Sequence, residues 1–374
     1  MISPFLPKTG FATLEGTRKF AARFEGRTAP GHFRERHGLM ISSIGAGTYL
    51  GEPDAATDTA YTGAICAAVR GGINLIDSAI NYRLQRSERS VGAALARLFS
   101  GDFARDELIL CTKAGFLTPD GDMPADANDY FYREFISKSI FAVEDIAAGC
   151  HCMAPRYLED QLERSRRNLG VSCLDIFYLH NPETQLGEVP RDEFNRRVSA
   201  AFQTLESAVA AGKIRAYGMA TWNAFRSDPR AQEYLSLEQM TGIARQAGGN
   251  EHHFRFVQLP FNLAMPEALM RPNQTVGGKT ASMVQAAREL GIALIASASL
   301  LQTHLAGKVS EVIHATLGLR NDLDCALQFV RSAPGITTGL VGMKRLEHVR
   351  ANLKIAAIPP VPQEQFRRMF AAAR

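Results

Sequence analysis

The chain has 374 residues, 46% of them hydrophobic and 21% charged, and its 42 Lys+Arg against 38 Asp+Glu leave a formal net charge of +4. That small excess is spread along the chain, so it offers no basic patch to nucleic acid or to an anionic membrane surface. No apolar run reaches the roughly 18 residues of a spanning helix, and MISPFLPKTG passes into charged sequence without a signal-like stretch, so a soluble, cytoplasmic protein is expected.

In chain order, residues 1–40 come first as an extension. GFATLEGTRKF and AARFEG alternate polar and apolar residues, as a hairpin plugging the barrel described next would, or as a mobile tail would. From about residue 41 strand-like runs alternate with helical ones. The strands read as ISSIGAGT, INLIDSA, ELILCTK, CLDIFYLH, KIRAYGMAT, FRFVQLPFN, IALIASAS and GITTGLVGM. Between them lie segments of helical period such as TAYTGAICAAVRGG, SERSVGAALARLF and PRYLEDQLERSRRNLG, several ending in the Gly that suits a C-cap. Eight strands, each followed by a helix, close most simply into an α/β fold, a (β/α)8 TIM barrel over 41–374. Residues 114–155, after the third strand, are far longer than an ordinary connection, and a long loop at the active mouth of a barrel usually shapes the substrate pocket. A mere surface excursion is the other reading of that segment.

Polar residues sit where core logic does not put them. Asp77 closes NLID, Lys113 closes ELILCTK, His180 closes CLDIFYLH, and Tyr82 follows Asp77 by five positions. The carboxyl ends of parallel barrel strands share one mouth, so side chains distant in sequence converge there as a catalytic group.

Other motifs do not stand. Gly45, Gly47 and Gly51 miss the dinucleotide fingerprint by one residue, and GGKT at 277–280 lacks the upstream glycine of a phosphate loop, having Asn273 there. Cys150, His151 and Cys152 are compact soft ligands, but a structural zinc site wants four and no CxxC pair supplies the rest, so no metal is assigned. His252 and His253 read as loop histidines. The six cysteines are too few for a disulfide scaffold of this size and are expected as thiols.

GINLIDSAINY, RSERSVGAAL, LCTKAG, CLDIFYLHNP, GKIRAYGMATW, FVQLPFN and GLVGMKRLEHVRANL occur in an order and spacing that resembles the aldo-keto reductase superfamily, over roughly residues 38–358. The resemblance is nearest to bacterial-type members with a long insertion after the lysine strand. It implies a barrel that binds a nicotinamide dinucleotide without a Rossmann domain, and a catalytic tetrad of Asp77, Tyr82, Lys113 and His180. Carbonyl reduction needs a hydride at carbon and a proton at oxygen, and a phenol of ordinary pKa near 10 is a poor acid at neutral pH. A neighbouring ammonium lowers it, which Lys113 would do for Tyr82. Asp77 would hold Lys113 charged, and His180 would orient the substrate oxygen.

The same resemblance implies cofactor contacts from Gly47, Thr48 and Tyr49 at the first strand's end, from Gln258 to the carboxamide, and from the stretch Gly342 to Asn352 to the adenosine end. Lys344, Arg345 and His348 offer charge for a 2′-phosphate, so NADP (NADPH) is expected over NAD. The chain departs from the family pattern in places. Ala220-Thr221 replaces Ser-Asn, leaving Thr221 to remake a carboxamide contact. Ser297 replaces the aromatic that stacks on nicotinamide, followed by Ala298, Ser299 and Leu300, so either Phe261 or Trp222 would have to stack instead. Ala351 replaces the acid before Asn352, and His348 an arginine. The expected partner is a small carbonyl or alcohol substrate, in either direction of reaction. The alternative from another class is a cofactor-binding regulatory or scaffolding subunit with little turnover.

Overall fold

The computed structural model describes residues 7–301, 307 and 309–371, so the outer ends of the extension and of the barrel segment, 1–6 and 372–374, lie outside the described residues. Eight parallel strands close a barrel: β1 Ile44–Gly47, β2 Leu75–Asp77, β3 Ile109–Ala114, β4 Leu174–His180, β5 Ile214–Ala220, β6 Phe254–Pro260, β7 Ala293–Ser297 and β8 Ile336–Gly342. Each pairs with its successor and β8 pairs with β1. This is the (β/α)8 barrel expected from the alternation of runs.

The outer layer is α1 Ala55–Arg70, α2 Arg86–Phe99, α3 Pro155–Leu169, α4 Arg191–Ala210, α5 Leu237–Gly248, α6 Met283–Glu289, α7 Asp322–Ser332 and α8 Leu346–Ala356. Local chemistry sets their ends. The Asp54 carboxylate accepts from the Thr57 amide at the start of α1, and α3 begins with Pro155 and stops at Gly170, which takes φ 72°. Among the described residues no helix is long and apolar enough to cross a membrane.

Register puts the site residues in one ring. Asp77 lies opposite Gly47 and Cys111, His180 opposite Ala220, Ala220 opposite Gln258, and Gly342 opposite Gly47. Beneath that ring Leu75, Ile109, Ile176, Phe256, Ile295 and Leu340 fill the barrel interior. Gly218 lets β5 and β6 close tightly, since a Cβ there would stand 2.1 Å from the Phe256 carbonyl oxygen.

The extension differs from the hairpin expected at 10–26. Leu14–Ala22 is a helix, capped by the Thr13 hydroxyl accepting from the Gly16 amide. Phe20 is buried among Phe24, Phe33 and Phe103, so its apolar positions serve a helix face rather than a strand face. The antiparallel hairpin lies later, Phe33–Arg36 with Leu39–Ser42. Ala12 and Ile41 join the interior cluster of the barrel. A buried ion pair ties the extension down: Asp175, near the start of β4, accepts from the Arg105 guanidinium at 2.8 Å and from the amides of Leu110 and Ala12 at 2.7 Å each.

Residues 114–155 fold onto a small core of their own. Phe135, Phe141 and Cys152 pack on Tyr157 of α3, with the short helix Ala127–Phe131 alongside.

Candidate active site

Asp77, Lys113 and Tyr82 meet at the carboxyl ends of β2 and β3. The Lys113 ammonium, with no exposed surface, donates to Asp77 Oδ2 at 2.6 Å, to the Ser78 carbonyl at 2.7 Å and to the Tyr82 hydroxyl at 3.3 Å. Burial opposes its charge, but the Asp77 carboxylate, helped by the hydrogen bond to the Tyr82 hydroxyl, more than offsets that and holds the lysine above its ordinary range. The second Asp77 oxygen accepts from the Gln258 amide at 2.9 Å.

For Tyr82 the outcome differs from the expectation. Burial raises the phenol, Lys113 pulls it down, and burial is the larger effect, so the phenol lies above its ordinary value. Tyr82 is therefore protonated at neutral pH, with an ammonium in place to stabilise the phenolate once the proton leaves. His180 closes the group, its ring edge-on to Tyr82 at 5.7 Å and to Phe116 at 5.1 Å. Burial first, then Lys113 and His151, push its imidazole well below the usual histidine range, so it is neutral.

The loop that presents Tyr82 is conformationally costly. Arg83, Leu84 and Gln85 all have positive φ (48°, 55° and 72°), a run that L-residues without a glycine rarely adopt. Side-chain bonds hold it. Arg83 donates to Asp58 at 2.7 Å and to Ser87 and Ser90, and Ser87 donates to the Thr48 carbonyl at 2.7 Å. Asp58 and Arg83 have no catalytic look in the sequence, because only the loop's shape brings them together.

A cavity of about 650 Å³ opens beside Tyr82 and His180 and runs past the ends of β1, β7 and β8. Of the residues expected at a cofactor, Gly47, Thr48, Tyr49, Thr221, Gln258, Ser297, Leu300, Gly342 and His348 line it, whereas Lys344, Arg345 and Asn352 are not among its lining residues. Arg345 is instead exposed, 3.0 Å from Glu347 and 2.9 Å from the His348 ring. Phe261 is excluded as a stacking partner, because it is fully buried against Phe329. Trp222 does line the cavity, 45% exposed. Asn81, Phe116 and Asn181 also line it and were not singled out from the sequence. Of these, Asn181 carried a signal in its Asn-Pro pair, and it takes a left-handed φ of 47°.

A sequence profile of the aldo/keto reductase family matches residues 43–374. The chain belongs to that family. It is 29% identical over 154 residues to a D-threo-aldose 1-dehydrogenase from a Pseudomonas species, 41% of each chain. It is 24% identical over 207 residues to an NADH-specific methylglyoxal reductase of Escherichia coli strain K12, 54% of each chain. The chain thus spans about half the length of these curated relatives. A Klebsiella pneumoniae aldo/keto reductase, crystallised with NADP and acetate, superposes with a TM-score of 0.60 at 20% identity, over 91% of this chain and 96% of its own.

In this member of the family the Trp222 wall is held by a buried carboxyl. Glu183, in the turn Pro182–Gly187 after β4, accepts from the Trp222 amide at 2.7 Å, while its other oxygen is buried without a partner among the described residues. Burial pushes this carboxyl up from 4.5 to about 7, against the pull of the Trp222 amide. A raised carboxyl binds its proton more tightly folded than unfolded, so the stability it contributes is present at acid pH and is lost as pH rises through about 7. The emission of Trp222, the single tryptophan, should therefore titrate near neutrality, and Glu183→Gln should flatten that curve. An unchanged titration in the variant would disconnect Glu183 from the wall.

Proposed function

We propose that this chain is an NADP-dependent oxidoreductase that moves a hydride between nicotinamide and a small carbonyl or alcohol, with Tyr82 as general acid/base. One observation carries the reading: the Tyr82 phenol lies 3.3 Å from a buried, ion-paired ammonium and beside the His180 imidazole, on a cavity of about 650 Å³. A binding surface alone has no use for that pairing of charge and phenol.

The cavity's residues fit a nicotinamide dinucleotide. Thr221 Oγ1 and Ser299 Oγ, both on the lining, are buried hydroxyls without a partner among the described residues, which suits a ligand's polar groups. Gln258 spends its amide nitrogen on Asp77, leaving its carbonyl oxygen for a carboxamide N–H. The cofactor, when bound, supplies or accepts the hydride. In reduction Tyr82 gives its proton to the carbonyl oxygen, Lys113 stabilises the resulting phenolate, Asp77 keeps Lys113 charged, and His180 holds the oxygen by a hydrogen bond. Tyr49, Phe116 and Trp222 make the wall near Tyr82 aromatic, which suits uncharged substrates. The names of the two curated relatives make sugars and small aldehydes the first substrates to try.

NADPH titrated into the protein should quench Trp222 emission saturably, because the indole lines the cavity. A protein that leaves this emission unchanged while oxidising no NADPH with small aldehydes lacks the proposed activity. The adenosine end is tested separately. Lys344 follows β8, and Arg345 reaches a 2′-phosphate only by leaving Glu347, an exposed pair worth under about 1 kcal/mol. Replacing both by Ala should weaken NADPH by roughly 1.5–3 kcal/mol per lost charged bond, less that compensation, and leave NADH nearly unchanged. Equal weakening of both cofactors would place the phosphate elsewhere.

A further inference from the structure

The insertion at 114–155 returns to the barrel through His151, and that residue sits in a hydrogen-bond chain whose direction is fixed throughout. Arg197 of α4 can only donate, and it donates to Gln185 Oε1 at 2.6 Å. The Gln185 amide nitrogen must then face the other way, where it donates to His151 Nδ1 at 2.9 Å. With Nδ1 accepting, the His151 proton is on Nε2, and Nε2–H donates to the His180 backbone oxygen at 2.8 Å. Burial pulls the His151 imidazole down to about 4, which keeps this neutral tautomer at physiological pH. Both ring nitrogens are thus committed, which also accounts for a histidine that the sequence showed only as one member of a Cys-His-Cys cluster.

The contact needs a glycine. A Cβ on Gly115 would stand 2.6 Å from the His180 oxygen and 2.7 Å from His151 Nε2. Phe116, next in the chain, is wedged edge-on between the two imidazoles, 5.2 Å from His151 and 5.1 Å from His180, both at 89°. Apart from its edge-on contacts with Phe116 and Tyr82 the His180 ring gains no orientation from Nδ1, which is buried with no hydrogen-bond partner among the described residues.

We propose that His151 is a positioning residue, pinning the His180 backbone and the Phe116 ring so that the insertion sets how a carbonyl is held for proton transfer; this rests on the role given to His180 above. The chain from Arg197 makes it a rigid support rather than a lid, because Arg197 is itself held by Glu193 at 2.7 Å and donates to the carbonyls of Glu144 and Asp145 within the insertion.

The test compares His151→Leu, which removes both bonds, with His151→Gln, whose amide can donate to the His180 oxygen and accept from Gln185. His151→Leu should lower kcat on a small aldehyde by about 10- to 100-fold, the effect of misplacing a reacting group by about 1 Å, with NADPH affinity changed no more than about twofold. His151→Gln should recover most of that loss, which a merely structural role would not predict. Nitrogen-15 spectra of the histidine rings read the same contact without turnover: His180 should give one sharp set of resonances in the native protein and a displaced or broadened set in His151→Leu. Should His151→Leu fail to fold, Gln185→Leu takes its place and should move both readouts the same way. Unchanged His180 resonances, or a Gln variant no better than Leu, overturn the inference. Native protein inactive on every carbonyl, with displaced His180 resonances in the variant, would instead overturn the reaction and leave the support standing.

Discussion

Tyr82→Phe should bind NADPH with near-native affinity and reduce carbonyls at least about 10²-fold more slowly, the usual cost of losing a general acid. The argument is one of subtraction. Phe keeps the ring that packs against Tyr49 at 4.9 Å and His180 at 5.7 Å, and it keeps a face for the Lys113 ammonium, 4.8 Å from the ring centre. The ion pair with Asp77, the bond to the Ser78 carbonyl and the cavity walls all remain. Only the hydroxyl is lost, and with it the group proposed to pass a proton to the carbonyl oxygen. The rate should therefore fall through kcat rather than through KM. Near-native turnover in the variant would remove Tyr82 from the chemistry. Native protein that binds NADPH and turns over nothing in a broad carbonyl panel would favour the regulatory or scaffolding subunit.

Asp175→Asn should destabilise the fold by about 3–5 kcal/mol, the cost of breaking a buried ion pair and stranding its partner. Asp175 and Arg105 have side chains 1% and 3% exposed, so no solvent replaces the lost carboxylate. Asn retains one accepting oxygen where the carboxylate serves three donors, the Arg105 guanidinium and the amides of Leu110 and Ala12. Among the described residues Arg105 keeps only the carbonyls of Leu108 and Cys173. Urea unfolding followed by circular dichroism measures the loss, and Arg105→Met with Asp175→Leu should recover most of it, since replacing both charges removes the stranded one. The pair lies at the amino end of the barrel, away from Tyr82, so kcat in the surviving folded protein should be native. A loss below about 1 kcal/mol, the range of an exposed pair, would mean that water reaches Arg105.

Several features were legible in the sequence because they depend on local pattern. Each barrel strand is a short apolar run bounded by turn residues, and such runs bury the same faces whatever surrounds them. Asp77, Lys113 and His180 were visible for the complementary reason: charged or polar groups closing buried runs need a partner, and parallel strands of a barrel bring their ends together. Patterns with two readings went astray. The alternation in GFATLEGTRKF also fits a helix face, and its burial beside Phe103 decided for the helix. Phe261 and Trp222 were equal candidates by composition, and only the direction of each side chain, into the core or onto the cavity, separated them.

By itself, then, the sequence determined the order of the eight barrel strands, the family, and which four side chains share the barrel mouth, since these follow from periodicity, from separated motifs and from the rule that strand ends converge. The tertiary structure alone decided how those side chains act on one another. Whether the Tyr82 phenol rises or falls depends on burial set against an ammonium 3.3 Å away, and neither quantity exists until β2 and β3 pair. The Arg83–Asp58 clamp on the Tyr82 loop and the Arg197–Gln185–His151 chain beneath His180 join residues up to 34 positions apart. Their donors and acceptors have no assigned direction until folding places an obligate donor, the guanidinium, at the end of each chain.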